Sequence, residues 1–150
     1  MAEAINIANY IINEYTKQDI TITNLKLQKM LYYIQGYSLK KFNEKAFSSE
    51  IRNWPYGPVI PDVYFEFNGY RGNPIYLDQD FDIKSIAISG ELKSIVDDII
   101  DRCKDERAFD LVKKTHAEEP WKNTEQNEII TEKSMKEYFC ANDPLGISEW

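Results

Sequence analysis

The sequence predicts a mainly α-helical protein: a single compact domain, residues 1–150, of five or six helices around one central helix, with at most a minor β-hairpin. Three observations carry this. Apolar residues recur at helical spacing through Thr23–Phe42, a stretch free of proline. A second, cleaner stripe follows Ser89: Leu92, Ile95, Val96, Ile99, Ile100 and Cys103. The segment 54–61 holds three prolines, which fix φ and remove amide donors, so it supports neither a helix interior nor a central strand.

The central stretch reads TNLKLQKMLYYIQGYSLKKF. Thr23 is placed to cap it, its hydroxyl oxygen accepting from a first-turn amide. Leu27, Met30, Leu31, Ile34 and Ser38 form one inward face, and Leu25, Tyr32 and Leu39 stand roughly opposite. A helix apolar on two faces is covered on more than one side. Lys26, Lys29, Tyr33, Gly36 and Lys40 form a third stripe. Unpaired ammonium groups are costly in a core, so this basic-aromatic strip is expected to face solvent.

The other elements follow in order. Residues 3–16 predict a first helix, with Ala4, Ala8, Ile11, Ile12 and Tyr15 on one stripe. Residues 43–45 read as a turn, and 47–54 as an extended segment that can hold a short strand. Pro61 suits the first turn of a helix that carries Val63, Tyr64 and Phe67. Two Gly, two Asn and a Pro make 68–74 a loop, and the segment to residue 88 reads as irregular and exposed. Ser89 caps the next helix, and Asp105 is expected to cap another over residues 106–116, with Ala108, Leu111, Val112 and Thr115 inward. Glu128-Ile129-Ile130 reads as extended. Thr131 or Ser134 then caps a last helix with Met135, Tyr138 and Phe139 on one side. The tail, 141–150, is expected to be loose unless Trp150 ties it down.

Composition bounds the function. With 43% hydrophobic and 29% charged residues, the chain belongs with folded globular proteins. Its net charge of −7 is uneven: residues 1–60 hold seven Lys/Arg against five Asp/Glu, and residues 61–150 eleven against twenty. An acidic chain gains nothing from phosphate backbones except through a local basic patch, so a nucleic-acid partner is not expected. A basic protein partner for the acidic part is. Cys103 and Cys140 show no metal-ligand spacing and fit a reducing compartment. Neither a signal peptide nor a run of ~18 apolar residues is seen, so a cytoplasmic location without membrane contact is expected. No cofactor or metal is expected.

Three landmarks stand in order: Thr23 to Tyr33 (TNLKLQKMLYY), Trp54 to Val59 (WPYGPV) and Thr115 to Trp121 (THAEEPW). Together they resemble the Panacea domain, the SocA-like antitoxin family of prophages and bacterial mobile elements, over about residues 4–140. The family outline is an LQKLLYY-QG helix, a W-x-YGPV segment and a late H-x-E-x-PW. The resemblance implies an antitoxin that binds a cognate protein toxin. In some members it implies an adaptor that hands the toxin to an ATP-dependent protease. The motif residues Leu27, Gln28, Trp54, Gly57, Pro58, His116, Pro120 and Trp121 are expected to be structural.

Candidate site residues divide accordingly. His116 is the only histidine, and no Ser or Cys accompanies it in a nucleophile motif. It is expected to satisfy a helix C-terminus rather than to catalyse. A small His-dependent hydrolase remains the alternative from a different class; the reading taken is of no enzyme. Trp54, Tyr56 and Trp121 are expected to cluster and to clamp the Pro-Gly loop onto the central helix. The expected docking surface is Lys26, Lys29, Tyr33 and Lys40 with Tyr56, Tyr64 and Phe65, because Tyr and Trp are common interface anchors and so apolar a segment is not left bare on a monomer.

Overall fold

The computed structural model describes residues 1–78 and 81–148. Its α-helices are α1 (Ala4–Lys17), α2 (Asn24–Phe42), α3 (Pro61–Phe67), α4 (Gly90–Cys103), α5 (Ala108–His116), α6 (Glu119–Lys122) and α7 (Glu132–Ala141). Strands β1 (Arg52–Trp54) and β2 (Gly57–Val59) form an antiparallel hairpin with Trp54 opposite Gly57. The predicted class therefore holds: mainly α, with one small hairpin. The helix count is seven among the described residues, against an expected five or six. The one-turn α6 accounts for the difference, beginning where Pro120 stands ready in a first turn.

Helix α2 is the centre. Thr23 caps it, accepting from the Lys26 amide, and Asn43 closes it in a left-handed conformation at φ 57°. It packs against α1, α3, α4, α5, α7 and β2. Fifteen of its nineteen residues are buried, so no face of its first four turns is left to solvent. The expected basic-aromatic strip is thereby corrected: Lys26, Lys29, Tyr33 and Gly36 are inside, and Lys40 alone is partly exposed. Gly36 is where Phe139 of α7 rests on α2; a Cβ there would sit inside the ring's van der Waals envelope. Phe139 in turn meets Tyr32, Tyr33, Tyr37 and Tyr138 edge-on.

Side-chain amides on α2 fasten the loops. The Gln35 amide oxygen accepts from the amides of Ala46 and Phe47, and its nitrogen donates to the Phe47 carbonyl. Gln28 does the same for the hairpin exit: it accepts from the Ile60 amide and donates to Asn24 Oδ1. The outer edge of β1 is covered by residues 127–130 through backbone bonds from Asn53 to the Glu128 carbonyl and from Ile130 to the Ile51 carbonyl. This is the extended piece expected at 128–130, and it leaves the hairpin little free edge.

Two boundaries differ from expectation. Helix α5 starts at Ala108 with Arg107 in the cap position, because Asp105 and Glu106 complete the turn out of α4. The chain after Asn142 is not loose. Tyr37 donates to Asp143 at 2.6 Å and accepts from the Leu145 amide, Asp143 also accepts from the amides of Ile147 and Ser148, and Leu145 is buried. A single carboxylate thus collects three donors that sequence alone gives no reason to bring together. The anchoring role considered for Trp150 lies outside the described residues.

Candidate functional site

The Pro-rich hairpin folds back over the N-terminal half of α2 and leaves a cleft of about 320 Å³. Asn24, Leu25, Gln28 and Lys29 of α2 form its floor. Trp54, Pro55, Tyr56 and Val59 form one wall; Tyr64, Asn68, Arg71 and Gly72 form the other. Two of the three sequence landmarks therefore meet here.

Around the mouth lies a run of aromatic rings. Tyr56, Phe65 and Phe109 are each about three-fifths exposed, at 62%, 61% and 61%. They fall in two groups joined by edge contacts: Trp54 meets Tyr64 at 5.1 Å and Phe65 at 6.1 Å, and separately Tyr56 meets Phe109 at 6.3 Å. The hairpin tip cannot bury them, since Trp54-Pro55-Tyr56-Gly57 turns within four residues and Pro55 offers no amide to a neighbour.

Beneath the hairpin is a sealed polar layer. The Lys29 ammonium is fully buried and donates to the Pro58 carbonyl at 3.0 Å. Burial lowers its pKa to about 7. Gly57 lies directly over the Lys29 side chain at φ +109°, and a Cβ there would stand 2.8 Å from Lys29 Cε and from Thr115 Oγ1. Position 57 thus requires glycine twice, for its dihedral and for the close approach. Lys26 is likewise buried, donating to the Glu106 carbonyl at 2.8 Å, and burial lowers its pKa. The expectation that ammonium groups stay outside fails because each found a backbone carbonyl from a distant element, and because a buried lysine sheds its proton more readily.

Glu118 completes the layer. Its carboxylate is 3% exposed, and its two oxygens accept separately from Tyr32 Oη at 3.0 Å and Tyr33 Oη at 2.9 Å. Burial raises its pKa to about 7, with the two hydroxyl bonds pulling the other way. Both tyrosines are held well above the ordinary phenol value, first by burial and then by the adjacent carboxylate.

His116 ends α5, as expected, and its ring stacks on Trp121 at 4.1 Å. Its Nε2 is buried and has no hydrogen-bond partner among the described residues. Trp121 donates its indole N–H to the Trp54 carbonyl at 3.0 Å, and Asn53 donates to the carbonyls of Trp121 and Thr124. The expected single cluster of Trp54, Tyr56 and Trp121 is therefore corrected. Trp121 clamps the hairpin through its backbone, while the three rings point to three places: His116, the Tyr64–Phe65 pair and Phe109.

Of the seven expected docking residues, the fold brings Tyr56, Tyr64 and Phe65 to one rim. It buries Lys26, Lys29 and Tyr33, and it places Lys40 at the far end of α2, bonded to the Asn142 carbonyl. Of the motif residues, Leu27 is in the core, Gln28, Gly57 and Pro58 fasten the hairpin, and Pro120 is buried at the start of α6. Sequence reasoning missed Phe109 and Arg71, and took Glu118 only as part of the third motif. For Glu118 the available signal was the adjacent pair Tyr32-Tyr33 on a helix already read as buried. Among the described residues no group of His, Cys, Asp and Glu is placed to hold a metal, and no helix is long and apolar enough to cross a membrane.

The fold is a helical domain whose central helix is buried along most of its length, with a short hairpin and an aromatic-walled cleft over that helix's N-terminal half. The chain belongs to the antitoxin SocA-like, Panacea domain family, which it matches over residues 27–122, from within α2 to the end of α6. It is similar to Antitoxin SocA of Caulobacter vibrioides, with 37% identity over 65 residues. That match spans 42% of this chain and 35% of the relative, so it covers about a third of the other protein's length. No solved structure matches.

Proposed function

We propose that this protein is an antitoxin that neutralises a cognate protein toxin by covering it, with the aromatic rim as contact surface and without chemistry of its own. One observation carries this. The polar side chains beneath the hairpin, Lys29 and Glu118, are sealed in, whereas Tyr56 at the cleft, its neighbour Phe109, and Phe65 beside Trp54 are each about three-fifths exposed. Exposed aromatic groups of this kind anchor protein interfaces, and a standard interface buries on the order of 1,600 Å² in total. Support also comes from His116, whose ring is committed to a stack on Trp121 and whose Nε2 meets no carboxylate or nucleophile among the described residues.

The test uses purified components. The chain is mixed with the toxin encoded by its neighbouring gene, with no protease present. Expected results are co-elution as one complex and stoichiometric loss of toxin activity. A toxin that stays active in the mixture, yet disappears from cells only when an ATP-dependent protease is present, would establish an adaptor instead. Protection that is abolished by His116→Phe, which keeps an aromatic ring on Trp121, would point to a hydrolase.

A further inference from the structure

We infer that the cleft beneath the rim receives an acidic segment of the partner protein: an apolar side chain lying against Trp54 and Tyr64, followed by a carboxylate that pairs with Arg71. This rests on the antitoxin reading and adds the chemistry of what enters the cleft.

Charge is the first argument. The chain carries 25 acidic against 18 basic residues, yet the charged side chains lining the cleft are Lys29 and Arg71, and no described carboxylate lines it. A concavity with Arg71 at its lip and no described carboxylate in its lining, in a protein otherwise dominated by carboxylates, is complementary to an anion. The second argument is that these cations are under-used. The Arg71 guanidinium, on an exposed residue at the lip, takes part in no hydrogen bond or ion pair among the described residues. The Lys29 ammonium has three donors and one acceptor, the Pro58 carbonyl. Lys29 forms part of the floor but is fully buried, so Arg71 is the group that reaches the ligand.

The walls decide what accompanies the anion. They are Trp54, Pro55, Tyr56, Val59 and Tyr64, which present apolar and aromatic surface. A bare inorganic anion would leave them wet. At about 320 Å³ the cleft sits at the small end of ligand sites, room for a short stretch of peptide rather than a cofactor.

The experiment titrates the purified full chain, at low salt, with two synthetic peptides that differ in one group: acetyl-Leu-Phe-Asp-amide and acetyl-Leu-Phe-Asn-amide. Amide and indole NMR shifts report the site. The Asp peptide is expected to bind about tenfold more tightly and to move the Trp54 indole signal, the scale of one charge-assisted pair. Arg71→Gln is expected to equalise the two peptides with an unchanged melting temperature, since the residue is exposed. Lys29→Met is expected to weaken the Asp peptide selectively. Equal affinities for the two peptides, a preference that survives Arg71→Gln, or no shift from either peptide at about 10 mM would each overturn the inference. Inhibition of the toxin by the purified chain, with peptides that bind alike, would leave the antitoxin reading standing. A chain that prefers the Asp peptide but never inhibits the toxin would overturn that reading alone.

Discussion

Tyr56 and Gly57 are neighbours in sequence and belong to different regions of the molecule. Tyr56 stands at the rim, mostly exposed; Gly57 is buried against Lys29 and Thr115. Helix α5 divides in the same way, with Phe109 exposed near its start and Thr115 sealed near its end. The same few segments thus build both a closed polar layer and an open aromatic surface. The closed layer is constrained by its hydrogen-bond partners, since burying a polar group is tolerated only with a partner in place. The rim is constrained only to be apolar and exposed. Sequence landmarks that look like one functional unit are therefore two: inward residues that hold the hairpin, and outward residues free to meet a partner.

The largest effect on folding should come from closing the space that α2 leaves for α7. Gly36→Leu places a side chain where the Phe139 ring lies, and Phe139 is wedged among four tyrosines. Overpacking costs about 1–3 kcal/mol when neighbours give way, and here they are rings already in contact. Loss of about 3 kcal/mol or more in urea unfolding is expected; a variant as stable as the parent would mean that α7 is not held by this contact. Gly57→Ala comes next. It combines a positive φ with contact against Lys29 and Thr115, for an expected cost of about 2 kcal/mol. A loss below about 0.5 kcal/mol, the range of neutral surface changes, would show that the hairpin does not press on the polar layer.

Much of the fold was legible because it is local. Thr23 and Ser89 cap the helices they were expected to cap, and of the two candidates for the last helix it is Thr131, since an N-cap needs only a hydroxyl three residues before an amide. The burial of α2 was legible from its two apolar faces. Its third stripe was misread because the acceptors that let Lys26 and Lys29 enter the interior are carbonyls of Glu106 and Pro58, 80 and 29 residues away. No pattern in a sequence marks which carbonyl will be spare. The rim was legible in part: Tyr56, Tyr64 and Phe65 stand out in the sequence as aromatic residues of the kind that anchor interfaces. Phe109 did not, because only the hairpin's return over α5 brings it beside Tyr56.

The closed layer also predicts a pH response. The folded protein holds the Glu118 carboxyl at about 7, above its ordinary 4.5, so the stability tied to this group is complete below about pH 4.5 and falls as pH rises to 7. Lys29 runs the other way. Its folded value of about 7 lies below the ordinary 10.5, so its contribution is complete above pH 10.5 and is lost as pH falls through 7. The two together place a stability minimum near neutral pH. Glu118→Gln removes the acid-side limb while keeping an acceptor for a tyrosine hydroxyl. Relative to the parent, it should gain on the order of 2 kcal/mol between pH 5 and pH 8. Parallel curves for the two proteins would mean that Glu118 is solvated in the folded state.

The smallest effect on folding belongs to the rim, where the comparison is tested most directly. Tyr56→Ser combined with Phe65→Ser removes two exposed rings and no buried contact of the core, so stability should change by no more than about 0.5 kcal/mol per site. Toxin binding should fall by tenfold or more, as expected when interface anchors are truncated. Calorimetric titration of the toxin against parent and variant separates the two readouts. Lys40→Glu is the counterpart, since Lys40 lies eleven residues beyond Lys29 along α2, or about 16 Å at the helical rise. If the rim variant binds toxin like the parent and Lys40→Glu releases it, the contact surface lies at the C-terminal end of α2, and the exposed rings of the hairpin need another partner.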